Sequence, residues 1–402
     1  MFKSHKIDLL ALIPEKTFLG YEILVSQFVR NNEKWLRIRY SHERGSAREL
    51  KLRRYIDIKS FGNLSGKLQA EGDKFLERRK YRVSFGNNLL AEHQEFIESI
   101  LSLGINPEDI EILCVYNPNR FDKNKVKAEA NSLATKFKIE NLKIKPKRNK
   151  RIWYNYRTTI RSSILSEILL HGMNKIRKVI SNNALSKEDV RVFSYSFLAK
   201  LLTGDGTLDI RKGDYNYPVV RIKTVDQNLE YLDDYCKILR NFGFPARVKE
   251  DDIFVKSSCS FENLLSLYKI GAFKNSNNWN KLIITIGLML SGRRLKVRNR
   301  FSELLNLNTF TSLDMWKLSG LRNSTTQDWI GNLKKFGLIK LIDNIKVPYK
   351  YVLTQKAKEQ GRIISEVNEE LIHLTERYDI NDLWILLNKF KIKNKSSREQ
   401  TA

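Results

Sequence analysis

Two carboxylates stand out by what surrounds them. Residues 64–73 read LSGKLQAEGD and residues 198–206 read LAKLLTGDG, so an apolar, helix-compatible run ends on Glu71 and, 134 positions later, again on Asp205. Glycine follows each acid at once. A carboxylate beside the unsatisfied carbonyls of a last helical turn opposes the helix dipole, at a cost of a few tenths to about 1 kcal/mol. Using that arrangement twice, with glycine available as the residue after each helix, points to a compensating cation. Carboxylate and carbonyl oxygens are hard ligands, which suits a divalent ion such as Mg²⁺. Sulfur and imidazole offer no competing site: Cys114, Cys236 and Cys259 are too scattered for a disulfide framework or a paired-cysteine zinc site. The five histidines show no zinc-protease spacing.

Two such acids brought together with bound metal form the oxygen clamp of phosphodiester hydrolysis, in which metal lowers the pKa of attacking water and stabilises both attacking and leaving oxygens. For the acids to meet, the two short helices must pack side by side. Gly66 and Ala70, four apart, supply a small stripe for close approach, flanked by Leu64 and Leu68. On the second helix Ala199 and Gly204 are the small residues available, because matching the acids puts Lys200 where Gly66 stands in the first. The same alignment sets Ser60 opposite Ser194, each an expected N-cap.

The segments after the two helices also repeat. After Gly72 come a hairpin candidate, DKFLERRKYRVSFGNN, a helix around AEHQEFIESILSLG, strands in IEILCVYN and RIWYNYRTTIRSS, and a helix in ILSEILLHGMNKIRKVIS. After Gly206 come TLDIRKGDYNYPVVRIKTVD, a helix NLEYLDDYCKILRNFG, strands in ARVKEDDIFVKSS, and helices in FENLLSLYK and WNKLIITIGLML. Both halves, 60–183 and 184–296, therefore read α, β, β, α, β, β, α, and the first carries an extra lysine-rich helical segment at 122–150.

The strands alternate apolar and cationic residues. Arg221 and Lys223 share one face, as do Arg247 and Lys249. An apolar back and a cationic front suit a sheet laid along a duplex, and the same reading makes Arg78, Lys80, Arg82, Arg157, Arg161 and Arg211 DNA contacts. With 72 Lys and Arg against 45 Asp and Glu, the formal net charge is +27. Nucleic acid is the partner this favours, because each neutralised phosphate releases a condensed counterion.

Residues 297–356 read as a separate module: a helix, a turn at Gly320, a second helix capped by Asn323 or Ser324, then strand, turn and strand. That order is a winged helix-turn-helix, with Ser324, Thr325, Gln327 and Lys334 as candidate major-groove contacts. Winged helices also dock proteins. Residues 1–59 are basic and show no motif, while 357–402 read as a long polar helix and a basic tail.

Two helices of this pattern, each heading an αββαββα half, resemble the single-chain, two-motif LAGLIDADG homing endonucleases over roughly residues 60–295. The resemblance implies an α+β fold in which two pseudo-symmetric domains form a saddle of two antiparallel sheets lying in the major groove of a long double-stranded DNA target. It further implies a monomer whose Glu71 and Asp205 bind two or three Mg²⁺ ions shared with DNA phosphates, leaving 3′ overhangs after cleavage. Family members place a lysine near each active site, which points to Lys274 in the second half and Lys175 in the first. Lys200, where a small residue is expected, departs from the pattern. Two other functions fit the same features: a DNA-binding transcriptional regulator that has kept the fold and lost the chemistry, and a maturase that binds cognate intron RNA. No apolar run reaches the roughly 18–20 residues of a membrane span, and the N-terminus lacks a signal-peptide pattern, so an intracellular location in cytoplasm or nucleoid is expected.

Overall fold

A computed structural model describes the chain apart from residues 1, 4, 18–19, 42–48, 73–81, 148–153, 183–187, 212–216, 224–228, 249–253, 293–294, 296, 320–321, 344–347, 376–381 and 388–402. It is a mixed α+β protein with several antiparallel sheets. Two units are distinguished: Met1–Asp209 with Val219–Ser258 and Ala272–Ser276, and Ile210–Pro218 with Cys259–Gly271 and Asn277–Ala402.

The first unit opens with β1 (Phe2–Lys3), β2 (Lys6–Asp8), β3 (Ile23–Arg30), β4 (Glu33–Tyr40), β5 (Leu50–Arg53) and β6 (Tyr55–Asp57). The stretch without a motif thus builds two antiparallel sheets, ordered β1-β2-β6 and β3-β4-β5. Asn31 and Asn32 close the β3–β4 hairpin with φ of 49° and 60°, the left-handed pair that matches the twist of a two-residue hairpin.

Helix α1 (Ile58–Glu71) follows directly. Its N-cap is Asp57, whose carboxylate accepts from the Ser60 N–H at 2.8 Å; Ser60 is therefore inside the helix, a correction to the expected cap. Next come β7 (Val83–Asn87), α2 (Leu90–Ser102), β8 (Ile110–Tyr116), α3 (Lys123–Lys136), β9 (Asn141–Pro146), β10 (Tyr154–Ile160) and α4 (Ser163–Asn182). The lysine-rich insertion is helical only in its first half. Lys138, at φ 56°, ends it, and Leu142 and Ile144 then alternate with lysines along β9, which pairs parallel to β8.

Helix α5 (Glu188–Asp205) starts well upstream of Ser194, whose hydroxyl donates to the Val190 carbonyl at 2.7 Å, so Ser194 is an interior residue and not a cap. Then come β11 (Gly206–Arg211), β12 (Tyr217–Lys223), α6 (Leu229–Asn241), β13 (Ala246–Val248) and β14 (Phe254–Ser258). The sheets run β7-β10-β8-β9 and β11-β12-β14-β13. Since β7, β8 and β10 occupy the same places in their half as β12, β13 and β14 in theirs, the strand order repeats, with β9 an added edge.

The second unit holds α7 (Phe261–Lys269), α8 (Asn277–Ser291), α9 (Phe301–Leu305), β15 (Phe310–Thr311), α10 (Ser312–Ser319), α11 (Asn323–Lys335), β16 (Ile339–Asp343), β17 (Lys350–Leu353) and α12 (Gln355–Leu374), with a sheet ordered β15-β17-β16. The α11 cap is Arg322, not Asn323 or Ser324, and it bonds through its carbonyl to the Thr326 N–H. The expected polar helix is amphipathic instead. Ala357, Gly361, Ile364 and Leu371 of α12 are buried, with Gly361 against Phe301 and Leu305. No helix among the described residues is long and apolar enough to cross a membrane.

Candidate active site

Helices α1 and α5 pack through backbone rather than through long side chains. A Cβ added at Gly62 would lie 2.8 Å from Ser196 Cβ and 2.9 Å from the Phe193 carbonyl, and one at Gly66 would lie 2.4 Å from the Phe197 carbonyl. Any side chain there would force the helices apart. Gly204 plays the reciprocal part on α5, since its Cβ would fall 2.5 Å from Ala70 Cβ and 3.0 Å from Glu71 Cγ. Ala199 is buried on the same helix.

This packing carries the Glu71 side chain across to the end of α5, where Asp205 is the next residue after Gly204. Both acids are half-buried and are the last residues of their helices. The glycines after them are required by space and not by a left-handed turn. Gly72 has φ −63° and donates its N–H to the Leu68 carbonyl at 3.0 Å, and a Cβ on it would lie 2.4 Å from that oxygen. At Gly206 the same collision with the Leu202 carbonyl would occur at 2.3 Å. The acid-glycine signature is thus a tight exit from the helix that leaves the carboxylate at the very end.

A carboxylate at the end of each helix is a hard oxygen donor of the kind that suits a divalent cation. Among the described residues, no group of three or more His, Cys, Asp or Glu is arranged to hold a metal.

Lys200 is explained by a buried ionic cluster. It lies over Gly66 and pairs with Glu95 and, at 3.5 Å, with Glu92; Lys67 pairs with Glu92 and, at 3.2 Å, with Glu95. Lys67 and Glu92 are only 2% and 3% exposed, so they are sealed in the body of the helix pair. Burial and the neighbouring Lys200 charge lower the Lys67 pKa, whereas the two ammonium groups hold Glu92 below its ordinary value against its burial. Each charge in the cluster has an opposite partner, as burial of ions demands.

The cluster reaches a loop after α7. Asn275 donates to Glu92 Oε1 at 3.0 Å, and Phe273 and Asn275 both hold φ of 67° although neither is glycine. Lys274 sits between them, exposed, on backbone of the kind that concentrates at working sites. Lys175, the other expected lysine, donates to the Ala11 carbonyl at 2.8 Å and ties α4 to the N-terminal segment.

Asp205 has its own surroundings. Arg177, buried, bonds Asp234 at 2.6 Å and stacks 3.8 Å over the Tyr231 ring. The Tyr235 phenol is pushed above its ordinary pKa by burial, with the Asp205 carboxylate adding to the effect and Arg177 opposing it.

The second sheet carries a row of cations. Arg221 on β12 and Arg247 on β13 both face Lys256 on β14, with Asp209 3.3 Å from Arg221. Like charges in register across strands repel, so the row favours an anion laid over it. Lys256 completes it and was not singled out in the sequence, although it alternates with the buried Val255 and Ser257. On the first sheet Arg157 and Arg161 are exposed, Arg161 pairing with Glu111 at 3.1 Å, and Lys143 and Lys145 line the unforeseen strand β9. Arg82 is half-buried just before β7. Arg211 and Lys223 lie on β11 and β12, while Arg78, Lys80 and Lys249 fall outside the described residues. In the second unit Ser324 and Gln327 are exposed and Thr325 half-buried on α11, whose Lys334 lies 4.9 Å over the Tyr351 ring.

No family model and no curated protein matches the sequence. Among solved structures the chain is similar to a double lysine-to-alanine mutant of I-SmaMI, at 11% identity and a TM-score of 0.31, over 68% of this chain and 96% of that one. A single lysine-to-alanine mutant of I-SmaMI matches at 11% identity and a TM-score of 0.29, over 68% of this chain and 95% of that one.

Proposed function

We propose that the protein is a site-specific, metal-dependent DNA endonuclease of the LAGLIDADG homing type, acting as a monomer because one chain supplies both acids. The observation that carries this reading is the meeting of Glu71 with the Gly204–Asp205 end of α5. Glu71 and Asp205 would hold Mg²⁺ ions shared with two scissile phosphates, and the metal would supply an activated water and charge stabilisation for phosphodiester hydrolysis. The chain's own residues do the positioning. The glycine contacts fix the separation of the two acids, and the buried Lys67–Glu92–Lys200–Glu95 cluster fixes the rotation of α1 and α5 against α2. Lys274, exposed on its constrained loop, would stabilise developing negative charge on phosphate oxygens. The cationic rows of the two sheets would hold the duplex backbone. In the second unit the helix, helix, strand, strand order of α10, α11, β16 and β17 supports a winged helix whose α11 would enter a major groove.

A supercoiled plasmid carrying the uninterrupted host locus tests the reading. Incubation with Mg²⁺ yields linear DNA with 3′ overhangs, and Glu71→Gln or Asp205→Asn each stops cutting of both strands while binding persists. Specific binding with no cleavage in Mg²⁺ or Mn²⁺ would overturn the endonuclease in favour of a regulator, and restored splicing of a cognate intron transcript without cleavage would favour a maturase.

A further inference from the structure

The sheet β3-β4-β5 presents two different faces. Leu36, Ile38 and Leu52 point into the core and are fully buried. On the other face the register brings together Arg30, Arg37, Arg39, Lys51 and Arg53: Arg39 opposes Leu24, Arg37 stands between Ser26 and Lys51, and Trp35 stands between Phe28 and Arg53. Five cations meet two carboxylates there, with Glu49 3.2 Å from Arg37 and 3.4 Å from Lys51, and Glu33 3.3 Å from Arg53.

The arginines are held in place by rings. Arg37 lies 5.5 Å over Phe28, and Arg30 and Arg53 lie 5.5 and 5.7 Å from the Trp35 ring. A stacked guanidinium keeps its N–H fork in plane and directed outward, which lowers the entropy cost of binding an oxyanion. The rings themselves are occupied. Trp35 is 8% exposed and abuts Gly104, so the face offers cations rather than a bare aromatic platform for unstacked bases.

The sheet is also fastened to the first repeated half of the same unit. Arg53 N–H donates to the Leu103 carbonyl at 2.8 Å just after α2, Tyr40 donates to Ser163 at 3.0 Å at the start of α4, and Arg54 grips Asp8 with two nitrogens at 3.0 and 2.7 Å. Tyr40 and Glu49 line one cleft with Lys143 and Arg161, but Glu108, Asp109 and Glu111 stand in it too, so the cationic face is bounded on that side by a cleft of mixed charge.

We propose that this face is a sequence-independent clamp on the phosphate backbone of duplex DNA, extending the contact beyond the two repeated halves. The proposal rests on the DNA reading above but not on cleavage. Phosphate contacts of this kind set orientation and affinity, while base edges supply sequence.

The test is carried out in EDTA with a labelled duplex of arbitrary sequence, on the full chain and on Arg37→Ala/Arg39→Ala/Lys51→Ala, leaving Arg30 and Arg53 in place because they cover Trp35. Losing three phosphate contacts should flatten the slope of log K against log salt by roughly 2.7, at about 0.9 per contact. A variant with Arg37→Lys, Arg39→Lys and native Lys51 should keep the slope of the parent. An unchanged slope and affinity in the alanine variant would overturn the clamp, as would a loss confined to a single-stranded RNA probe. Since neither measurement needs cleavage, failure of the endonuclease reading and failure of the clamp give separate results.

Discussion

Among single residues, His93 offers the sharpest pH test. Its Nε2 faces the Asn87 carbonyl at 3.1 Å and so carries the proton, leaving Nδ1 to accept from the Thr158 hydroxyl at 2.8 Å. Burial against Phe85 and Tyr156 pushes its pKa down to about 4. An unfolded histidine protonates near 6.5, so between about 6.5 and about 4 the unfolded chain binds a proton that the folded chain refuses. Stability therefore falls as pH drops through that window, by roughly 1.4 kcal/mol per pH unit, and is indifferent to this group above it. Denaturant unfolding at several pH values should show the slope in the parent and a shallower one in His93→Gln; parallel curves would refute it. This histidine was not legible as special in the sequence, because its partners lie on β7 and β10. Lys200 was legible as an anomaly but not as a solution: its counterions, Glu92 and Glu95, sit on a helix more than a hundred positions upstream.

At the scale of elements, glycines discriminate close packing from mere tolerance. In α11 a Cβ at Gly331 would meet nothing within 4 Å, so Gly331→Ala should stabilise the protein by about 0.5–1 kcal/mol through helix propensity and a less flexible unfolded chain. Gly66→Ala should do the reverse, by about 1–3 kcal/mol, because α1 cannot recede from the Phe197 carbonyl without breaking the pair. Shifts of the denaturation midpoint in opposite directions check both, and a neutral Gly66→Ala would mean that the helices do not approach this closely. The paired helices, strands β7, β8 and β10 of the first half and β11 to β14 of the second, and the helix-helix-strand-strand order of residues 312–353 follow from local periodicity and were readable, while residues 73–81, the first arm of the hairpin expected after α1, lie outside the described residues. The β9 strand was not, since its lysines continue the composition of α3 and the break at Lys138 is a backbone event. Nor was the amphipathic stripe of α12, where charged residues are interleaved with the buried ones and the stripe includes Gln360 and Gly361. The N-terminal sheets were missed because their cationic-aromatic face makes sense only once β3, β4 and β5 are in register.

Over the whole molecule, a formal charge of +27 could be spread evenly to solvate a basic surface, or gathered where a polyanion lies. The distribution favours gathering. Arg221, Lys256 and Arg247 stand in one cross-strand row, Lys143 and Lys145 share the outward face of β9, and five cations share one face of β3-β4-β5. Rows of like charge destabilise the free protein, so they are relieved when phosphates replace screening ions. That relief has a measurable signature in counterion release. Even about five phosphate contacts would make log K for duplex DNA fall with a slope near −4.5 against log salt, and full use of these rows would make it steeper. Titration of the metal-free protein into a labelled duplex between low and physiological salt should give such a slope for arbitrary sequence as well as for the host locus, because cation-phosphate contacts carry no sequence information. A slope near zero would mean that the cations only solvate the surface, and the sheets would then have to hold DNA, if at all, by contacts other than charge.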